Sequence, residues 1–129
     1  MLWFWLLACS RVHPDPEGGR LARCPASPNC VSTQASPDDG LHHYPPQPFD
    51  GTLADVAQAT EAIGCTVVTS GPMFLHATCT TPSGWFTDDV HALLEEGHLH
   101  LRSASRLGYG DLGENRDRMD RLIEQLRVH

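Results

Sequence analysis

The chain has 129 residues, of which 40% are hydrophobic, so it can form one small domain rather than two. Its formal net charge is −7, and all nine of its basic residues are arginines. This acidic balance disfavours a general surface for nucleic acid or for anionic lipid, because such surfaces need clustered positive charge.

The first nine residues, MLWFWLLAC, form the most apolar run of the chain. The run is too short to span a bilayer, which requires about 20 apolar residues. Leu6, Leu7 and Ala8 before Cys9 resemble the bacterial lipoprotein box, in which the signal is cleaved before a cysteine that is then acylated. The sequence therefore predicts an exported protein anchored through a lipid at Cys9, and an ordinary hydrophobic N-terminus is the alternative.

Residues 10–23 contain two prolines and two glycines and predict a flexible tether between the anchor and the domain. Four further cysteines follow it: Cys24, Cys30, Cys65 and Cys79. An even number of cysteines in a small exported domain predicts two disulfide bonds. A turn signal at residues 70–72 places Cys65 opposite Cys79 in a hairpin, which leaves Cys24 to pair with Cys30. A four-cysteine zinc site is the weaker alternative, because the spacings lack C-x2-C pairs.

The first half of the domain predicts a helix and a hairpin. Residues 50–64 have the pattern of a helix, because Thr52 is a good N-cap, Asp55 follows it at capping-box spacing, and Gly64 would end the helix. The two β-rich runs on either side of the turn at 70–72 are the strands of the hairpin.

A second hairpin and a second helix follow. Residues 85–94 and 98–105 predict two paired strands. The predicted register pairs Leu94 with Leu99, Ala92 with Leu101, and Val90 with Ser103. Residues 112–126 carry an apolar stripe at helical spacing, and Asp111 with Glu114 resembles a capping box in front of it.

The order of these elements is helix, strand, strand, strand, strand, helix. It predicts an α+β fold in which residues 24–129 form a single domain with a four-stranded antiparallel meander. One face of the second hairpin is apolar, so we expect both helices to pack on that face.

Three segments of the chain, CPASPNCVSTQA, WFTDDVHALL and HLHLRSASRLGYGDLGENRDRMDRL, resemble successive blocks of the domain-of-unknown-function 1499 family. The resemblance covers residues 24–127 and implies an exported or lipid-anchored bacterial protein, or a plastid relative, with no established reaction, cofactor or substrate. Within this resemblance a bridge between Cys65 and Cys79 would be a local addition. The matching positions are Cys24, Ser27, Pro28, Asn29, Cys30, Asp88, Asp89, Arg102, Ser103, Ser105, Arg106, Gly108, Asp111, Leu112, Gly113, Asn115 and Arg116.

The polar residues near the second hairpin allow two interpretations. The predicted register places Asp88 on the face of Ser103 and Ser105, beside the core, where a carboxylate must be paired, with Arg106 and Arg116 as the nearest candidates in sequence. These residues form either a buried polar cluster or, at the glycine-rich approach to the last helix, a pocket for an anionic or polar ligand. The ligand-binding candidates are Asp88, Arg102, Ser103, Ser105, Arg106, Asp111, Asn115 and Arg116. A hydrolase or transferase using Asp88, Arg106 and Arg116 is the enzymatic alternative.

Histidines on the opposite face of the second hairpin give a third hypothesis. We expect this face, with Asp89 and Arg102, to be exposed to solvent, so His91, His98 and His100 would be solvated side chains. Since His98 and His100 point the same way, the three histidines could instead bind zinc or copper. His76 is expected to pack beside Phe74 on its strand.

Nucleophilic catalysis is disfavoured by the sequence. Ser103 and Ser105 lack a G-x-S-x-G turn, and an even cysteine count leaves no free thiol. We therefore predict an exported, lipid-anchored domain of the periplasm or cell envelope. Its role would be binding or envelope support without catalysis, its partner an unknown protein or small molecule, and nucleic acid is not expected.

Overall fold

The predicted helices and strands are present, together with two further short strands. The structure is a computed structural model, and it describes residues 19–81, 84–107 and 113–128. The elements, in chain order, are β1 (Cys30–Ser32), β2 (Gln47–Pro48), α1 (Leu53–Ala62), β3 (Thr66–Ser70), β4 (Phe74–Thr80), β5 (Thr87–Glu95), β6 (His98–Ser105) and α2 (Glu114–Arg127).

Helix α1 begins with the predicted capping box. The Thr52 hydroxyl accepts a hydrogen bond from the Asp55 amide at 3.2 Å, and the Asp55 carboxylate accepts one from the Thr52 amide at 2.8 Å. These two bonds satisfy amides that have no partner within the helix. Gly64, with φ of 96°, follows the C-cap and takes the left-handed conformation that ends many helices.

The two hairpins have the predicted partners. In β3–β4, Thr66 pairs with Thr78, which sets Cys65 opposite Cys79, and a bulge interrupts the register between Val67 and Thr69. The predicted register of β5–β6 is confirmed in full: Leu94 pairs with Leu99, Ala92 with Leu101, and Val90 with Ser103. Strand β5 begins at Thr87, two residues later than predicted.

The four-stranded meander is only part of a larger sheet. Six strands belong to the sheet within the described residues, in the order β1-β6-β5-β4-β3, and β2 also pairs with β6. The added strands have three and two residues and pair antiparallel with β6. They are too short to show the alternation that identifies a strand in sequence, and β2 contains a proline.

Both helices pack on one face of the sheet, which we call the core face. The sheet contributes these buried side chains: Leu75, Ala77, Val90, Ala92, Leu99 and Leu101. The helices contribute these: Leu53, Val56, Ala59, Met119, Leu122 and Ile123. Because burying one Leu, Val, Ile or Met side chain contributes about 1.5 to 3 kcal/mol, this cluster is the main source of stability.

The N-terminal segment, residues 19–24, covers part of the opposite face of the sheet, which we call the second face. Leu21 is buried there in a small cluster with Phe74 and Leu93. The face that we expected to be exposed is therefore largely buried. Residues 19–23, the end of the predicted tether, lie against the sheet, whereas residues 10–18 and Cys9 lie outside the described residues.

Helix α2 begins at Glu114 with Gly113 as its N-cap, in the left-handed conformation with φ of 83°. Asp111, which we expected to cap this helix, lies outside the described residues. None of the helices in residues 19–81, 84–107 and 113–128 combines the length and the apolar character that crossing a bilayer requires.

Candidate functional site

A buried ion pair on the core face joins the sheet to helix α2. Asp88 on β5 is 2% exposed and Arg118 on α2 is 3% exposed, and Asp88 Oδ2 lies 2.8 Å from Arg118 Nη1. The same Nη1 donates to Asn115 Oδ1 at 2.9 Å and to Ser103 Oγ at 3.2 Å. Ser103 in turn donates to Asn115 Oδ1 at 2.6 Å. We call Asp88, Ser103, Asn115 and Arg118 the core-face cluster.

Asn115 extends the core-face cluster to two more segments. Its Nδ2 donates to Ser105 Oγ at 3.0 Å and to the main-chain oxygen of Asn29 at 3.2 Å. One side chain thus connects α2 with β6 and with the residue before β1. The groups bond to one another, as a buried polar cluster requires, so this arrangement is suited to holding α2 against the sheet.

The predicted partners of Asp88 lie elsewhere. Arg106 follows β6 on the second face and pairs with Asp89, at 2.9 Å from Nε to Oδ2 and 3.0 Å from Nη2 to Oδ1. Arg116 lies 5.9 Å from the centre of the Tyr44 ring. Alternation along β5 and β6 sends Asp88 and Arg106 to opposite faces of the sheet, so Asp88, Arg106 and Arg116 do not share a site.

A second buried cluster occupies the second face. His76 Nε2 lies 2.7 Å from Asp89 Oδ1, and the rings of His76 and His91 stack with centroids 4.6 Å apart. Phe74 continues the stack, with its centroid 5.7 Å from that of His91. We call His76, Asp89, His91 and Arg106 the second-face cluster. His76 was expected only to pack beside Phe74, and its contact with Asp89 was not predicted.

Asp89 stays ionised despite its burial. Only 4% of the residue is exposed. Burial by itself would raise the pKa of the Asp89 carboxyl, but the hydrogen bonds from Arg106 and His76 outweigh burial and lower that pKa to about 2. The second-face cluster is therefore an ionic network in which one carboxylate is shared by a guanidinium and an imidazole.

Arg102 is the other charged group of the second face. It is 7% exposed, and its Nη2 donates to the main-chain oxygen of Arg23 at 3.2 Å. Burial lowers the pKa of Arg102, and the nearby charge of Asp89 opposes that shift. Its Nε is buried and has no hydrogen-bond partner among the described residues.

The three histidines predicted as metal ligands lie in three environments. His91 is buried in the second-face cluster, whereas His98 is exposed near the β5–β6 turn. His100 Nε2 lies 2.7 Å from Glu95 Oε1, and its Nδ1 lies 3.1 Å from Thr33 Oγ1. Across the part of the chain that the structure describes, no three His, Cys, Asp or Glu side chains are grouped closely enough to hold a metal.

A cavity of about 460 Å³ lies between the N-terminal segment and the loop after β1. None of the predicted ligand-binding residues that the structure describes lines it. This cavity is next to the second face, not beside the core-face cluster. Its lining residues are Arg20, Leu21, Ala22, Arg23, Cys24, Ser32, Gln34, Ala35, Ser36 and Asp39.

His42 fixes one wall of this cavity, and its role was not predicted. Its Nδ1 lies 2.7 Å from Asp39 Oδ2, and its Nε2 lies 2.8 Å from the main-chain oxygen of Ser27. Burial lowers the pKa of His42, but the Ser27 oxygen and the Asp39 carboxylate outweigh it and raise that pKa above its ordinary value. Only the protonated imidazole can donate to both oxygens.

Both predicted disulfide pairings are confirmed. Cys24 is bonded to Cys30, with their Cα atoms 5.6 Å apart, and Cys65 to Cys79, with their Cα atoms 4.4 Å apart. The first bond attaches the N-terminal segment to β1. The second closes the open end of the β3–β4 hairpin.

Arg118 is the most important residue that sequence reasoning missed. A signal was present, because Arg118 is three residues after Asn115 and four before Leu122, which places it on the buried side of α2. An arginine on the apolar face of a helix requires a buried acceptor, and Asp88 was the buried carboxylate already identified from the strand register.

The family model described as "Protein of unknown function (DUF1499)" matches residues 20–126 of the chain. No curated protein is significantly similar to the chain. The match begins four residues before Cys24, in agreement with the packing of Leu21 against the sheet.

Proposed function

Since the chain belongs to the DUF1499 family, whose function is unknown, we propose that it is an exported, lipid-anchored domain that binds a ligand or partner in the cell envelope without catalysing a reaction. The observation that carries the proposal is the pair of disulfide bonds, because such bonds persist in oxidising compartments and are rare in the cytosol. The apolar segment that ends in Cys9 supports export independently of the cysteine pairing.

We propose a non-catalytic role because neither of the two buried aspartates is suited to catalysis. Asp88 is ion-paired with Arg118, and the side chains of both are almost fully buried, so substrate has no access to them. Asp89 is held by Arg106 and His76 in a low-pKa state, which is unsuitable for a general base at neutral pH. Both arrangements favour a stable scaffold that presents a binding surface.

Fatty-acid labelling of the full chain in a bacterial host tests the anchor. We expect incorporation of labelled palmitate into the wild type and its loss in Cys9→Ala, because acylation requires the Cys9 thiol. Ser10→Ala is the matched control, since it alters the neighbouring residue and keeps the thiol. An unlabelled wild type, or a Cys9→Ala variant that still carries label, would remove the anchor from the proposal.

Thiol trapping in the same cells tests export separately. We expect the four cysteines of the domain to resist alkylation until a reductant is added, because both disulfides should form in the compartment where the protein resides. Rapid alkylation without reductant would place the protein in a reducing compartment and would contradict export, whatever the labelling shows.

A further inference from the structure

The cavity next to the second face has a preformed N-terminal wall. Leu21 is buried, its amide donates to Gln34 Oε1 at 2.6 Å, and Gln34 Nε2 donates to the main-chain oxygen of Gly19 at 2.9 Å. The disulfide between Cys24 and Cys30 fixes the other end of the segment. Because the wall is held at both ends, a ligand would not have to order it on binding.

The opposite wall is a turn held by its own hydrogen bonds. The Asp39 amide donates to the main-chain oxygen of Ser36 at 2.8 Å, and the Asp38 amide donates to Ser36 Oγ at 3.2 Å. His42 then ties the Asp39 carboxylate to the main-chain oxygen of Ser27. Asp39, the acidic side chain among the described residues that line the cavity, is thereby engaged by an imidazole, and its pKa is lowered chiefly by that contact.

The walls carry a local excess of positive charge in an acidic protein. Arg20 and Arg23 line the cavity, both are exposed, and neither forms an ion pair with any described carboxylate. Arg102 lies behind this wall, where it donates to the Arg23 main-chain oxygen, and the Asp89 carboxylate whose charge acts on Arg102 is shared with Arg106. Among the described residues that line the cavity, two arginines thus stand against one carboxylate, that of Asp39, although the formal charge of the chain is −7.

Two serine hydroxyls add hydrogen-bond donors. Ser32 Oγ accepts from the Gln34 amide at 3.1 Å, and Ser36 Oγ accepts from the Asp38 amide at 3.2 Å. Each hydroxyl keeps its own proton, which it can donate to a ligand oxygen. Guanidinium groups and hydroxyl donors together match the oxygens of a carboxylate or a phosphate.

We propose that this cavity binds a small organic anion, with Arg20 and Arg23 contacting its carboxylate or phosphate group. The volume of about 460 Å³ lies within the range of ligand pockets, about 300 to 1,000 Å³. This site deepens the binding role proposed above and rests on it, but it does not depend on export or on the lipid anchor.

Calorimetric titration of the purified full chain tests the site with three sugars of similar size. Glucose 6-phosphate carries a phosphate, glucuronate a carboxylate, and glucose neither. We expect at least one anionic sugar to bind and glucose not to bind. Arg20→Gln and Arg23→Gln should each weaken binding about tenfold or more, because each removes a charge-assisted hydrogen bond. Arg127→Gln, which removes the same charge from the exposed end of α2, should leave the affinity within about twofold.

Comparison of the two anionic sugars shows whether the negative group of the ligand is a phosphate or a carboxylate. Preference for glucose 6-phosphate would assign a phosphorylated ligand, and preference for glucuronate a carboxylated one. The proposal is overturned if neither binds, if glucose binds equally well, or if both arginine variants bind like the wild type. It is also overturned if Arg127→Gln loses as much affinity as Arg23→Gln. If no anionic sugar binds but palmitate is still incorporated through Cys9, this site is rejected and the proposed lipid anchor is retained.

Discussion

Each face of the sheet buries an aspartate beside an arginine, but the two pairs differ in how far water reaches them. Neighbouring residues of β5 place one aspartate on each face, and each is paired with an arginine. On the core face both partners are almost fully buried, at 3% for the Asp88 side chain and 4% for that of Arg118. On the second face the side chain of Asp89 is 6% exposed, but that of Arg106 is 31% exposed.

This difference follows from what covers each face. Two amphipathic helices exclude water from the core face, so its ion pair is part of the core. Arg118 also donates hydrogen bonds to Ser103 and Asn115 there. A single segment, residues 19–24, covers part of the second face, and the cavity lies along that segment. The core face therefore makes the larger contribution to stability, and the second face is the one beside which we propose a ligand site.

Removing each arginine should give the largest contrast between the faces. We expect Arg118→Met to lower the free energy of unfolding by about 3 to 5 kcal/mol, because it leaves the Asp88 carboxylate buried without its cation. Arg106→Met should cost about 1 to 2 kcal/mol, since Asp89 keeps His76 and Arg106 is partly solvated. Urea unfolding at neutral pH under oxidising conditions measures both.

Two further variants control this comparison. The double variant of Asp88→Leu with Arg118→Met should lose less than the sum of its single variants, because the charges are removed together. Arg116→Met should cost no more than about 1 kcal/mol, since it lies over the Tyr44 ring at the surface. Equal losses for Arg106→Met and Arg118→Met would contradict the difference between the faces.

The helices, the hairpins and the disulfides were predictable because each has a local signal. Thr52 and Asp55 have the spacing of a capping box, and the apolar residues of β5 and β6 alternate, so only one register buries them together. That register placed Asp88 beside the core. The turn signal at residues 70–72 was by itself enough to set Cys65 opposite Cys79.

The partners of the buried charges could not be obtained in the same way. Helix α2 alone carries four arginines, and only its docking selects Arg118 for Asp88. Residues 19–24 have no periodic pattern, so nothing in the sequence showed that they cover the second face. The cavity is formed by two loops, and its walls meet only because Gln34 and the Cys24–Cys30 bond bring them together.

Acid should weaken the second face through Asp89. The pKa of Asp89 is lowered from 3.8 to about 2 in the folded protein. The ionised carboxylate therefore stabilises the fold fully at a pH above its unfolded pKa, and this contribution is lost as the pH falls through its folded pKa. We expect about 2 kcal/mol of stability to disappear between about pH 5 and pH 2 on this account. Asp89→Asn should show a correspondingly smaller loss over that range in urea unfolding, and an unchanged acid profile would contradict the shift.

The smallest expected effect concerns His42, on the cavity wall. Its pKa is raised in the folded protein, so the protonated imidazole stabilises the fold below its unfolded pKa, which is 6.5, and this stabilisation is lost as the pH rises through the folded value. Deprotonation leaves one of its two acceptors, the Asp39 carboxylate or the Ser27 oxygen, without a donor. We therefore expect the turn at residues 36–39 to exchange its amide hydrogens faster at about pH 8 than at about pH 6, after correction for intrinsic exchange.

His42→Gln should remove this pH dependence, whereas His98→Gln, at an exposed position, should leave it intact. A His42 ring that titrates at or below its ordinary value in an NMR titration would show that the turn does not depend on the charged imidazole, and the cavity wall would then be equally rigid on both sides of neutral pH.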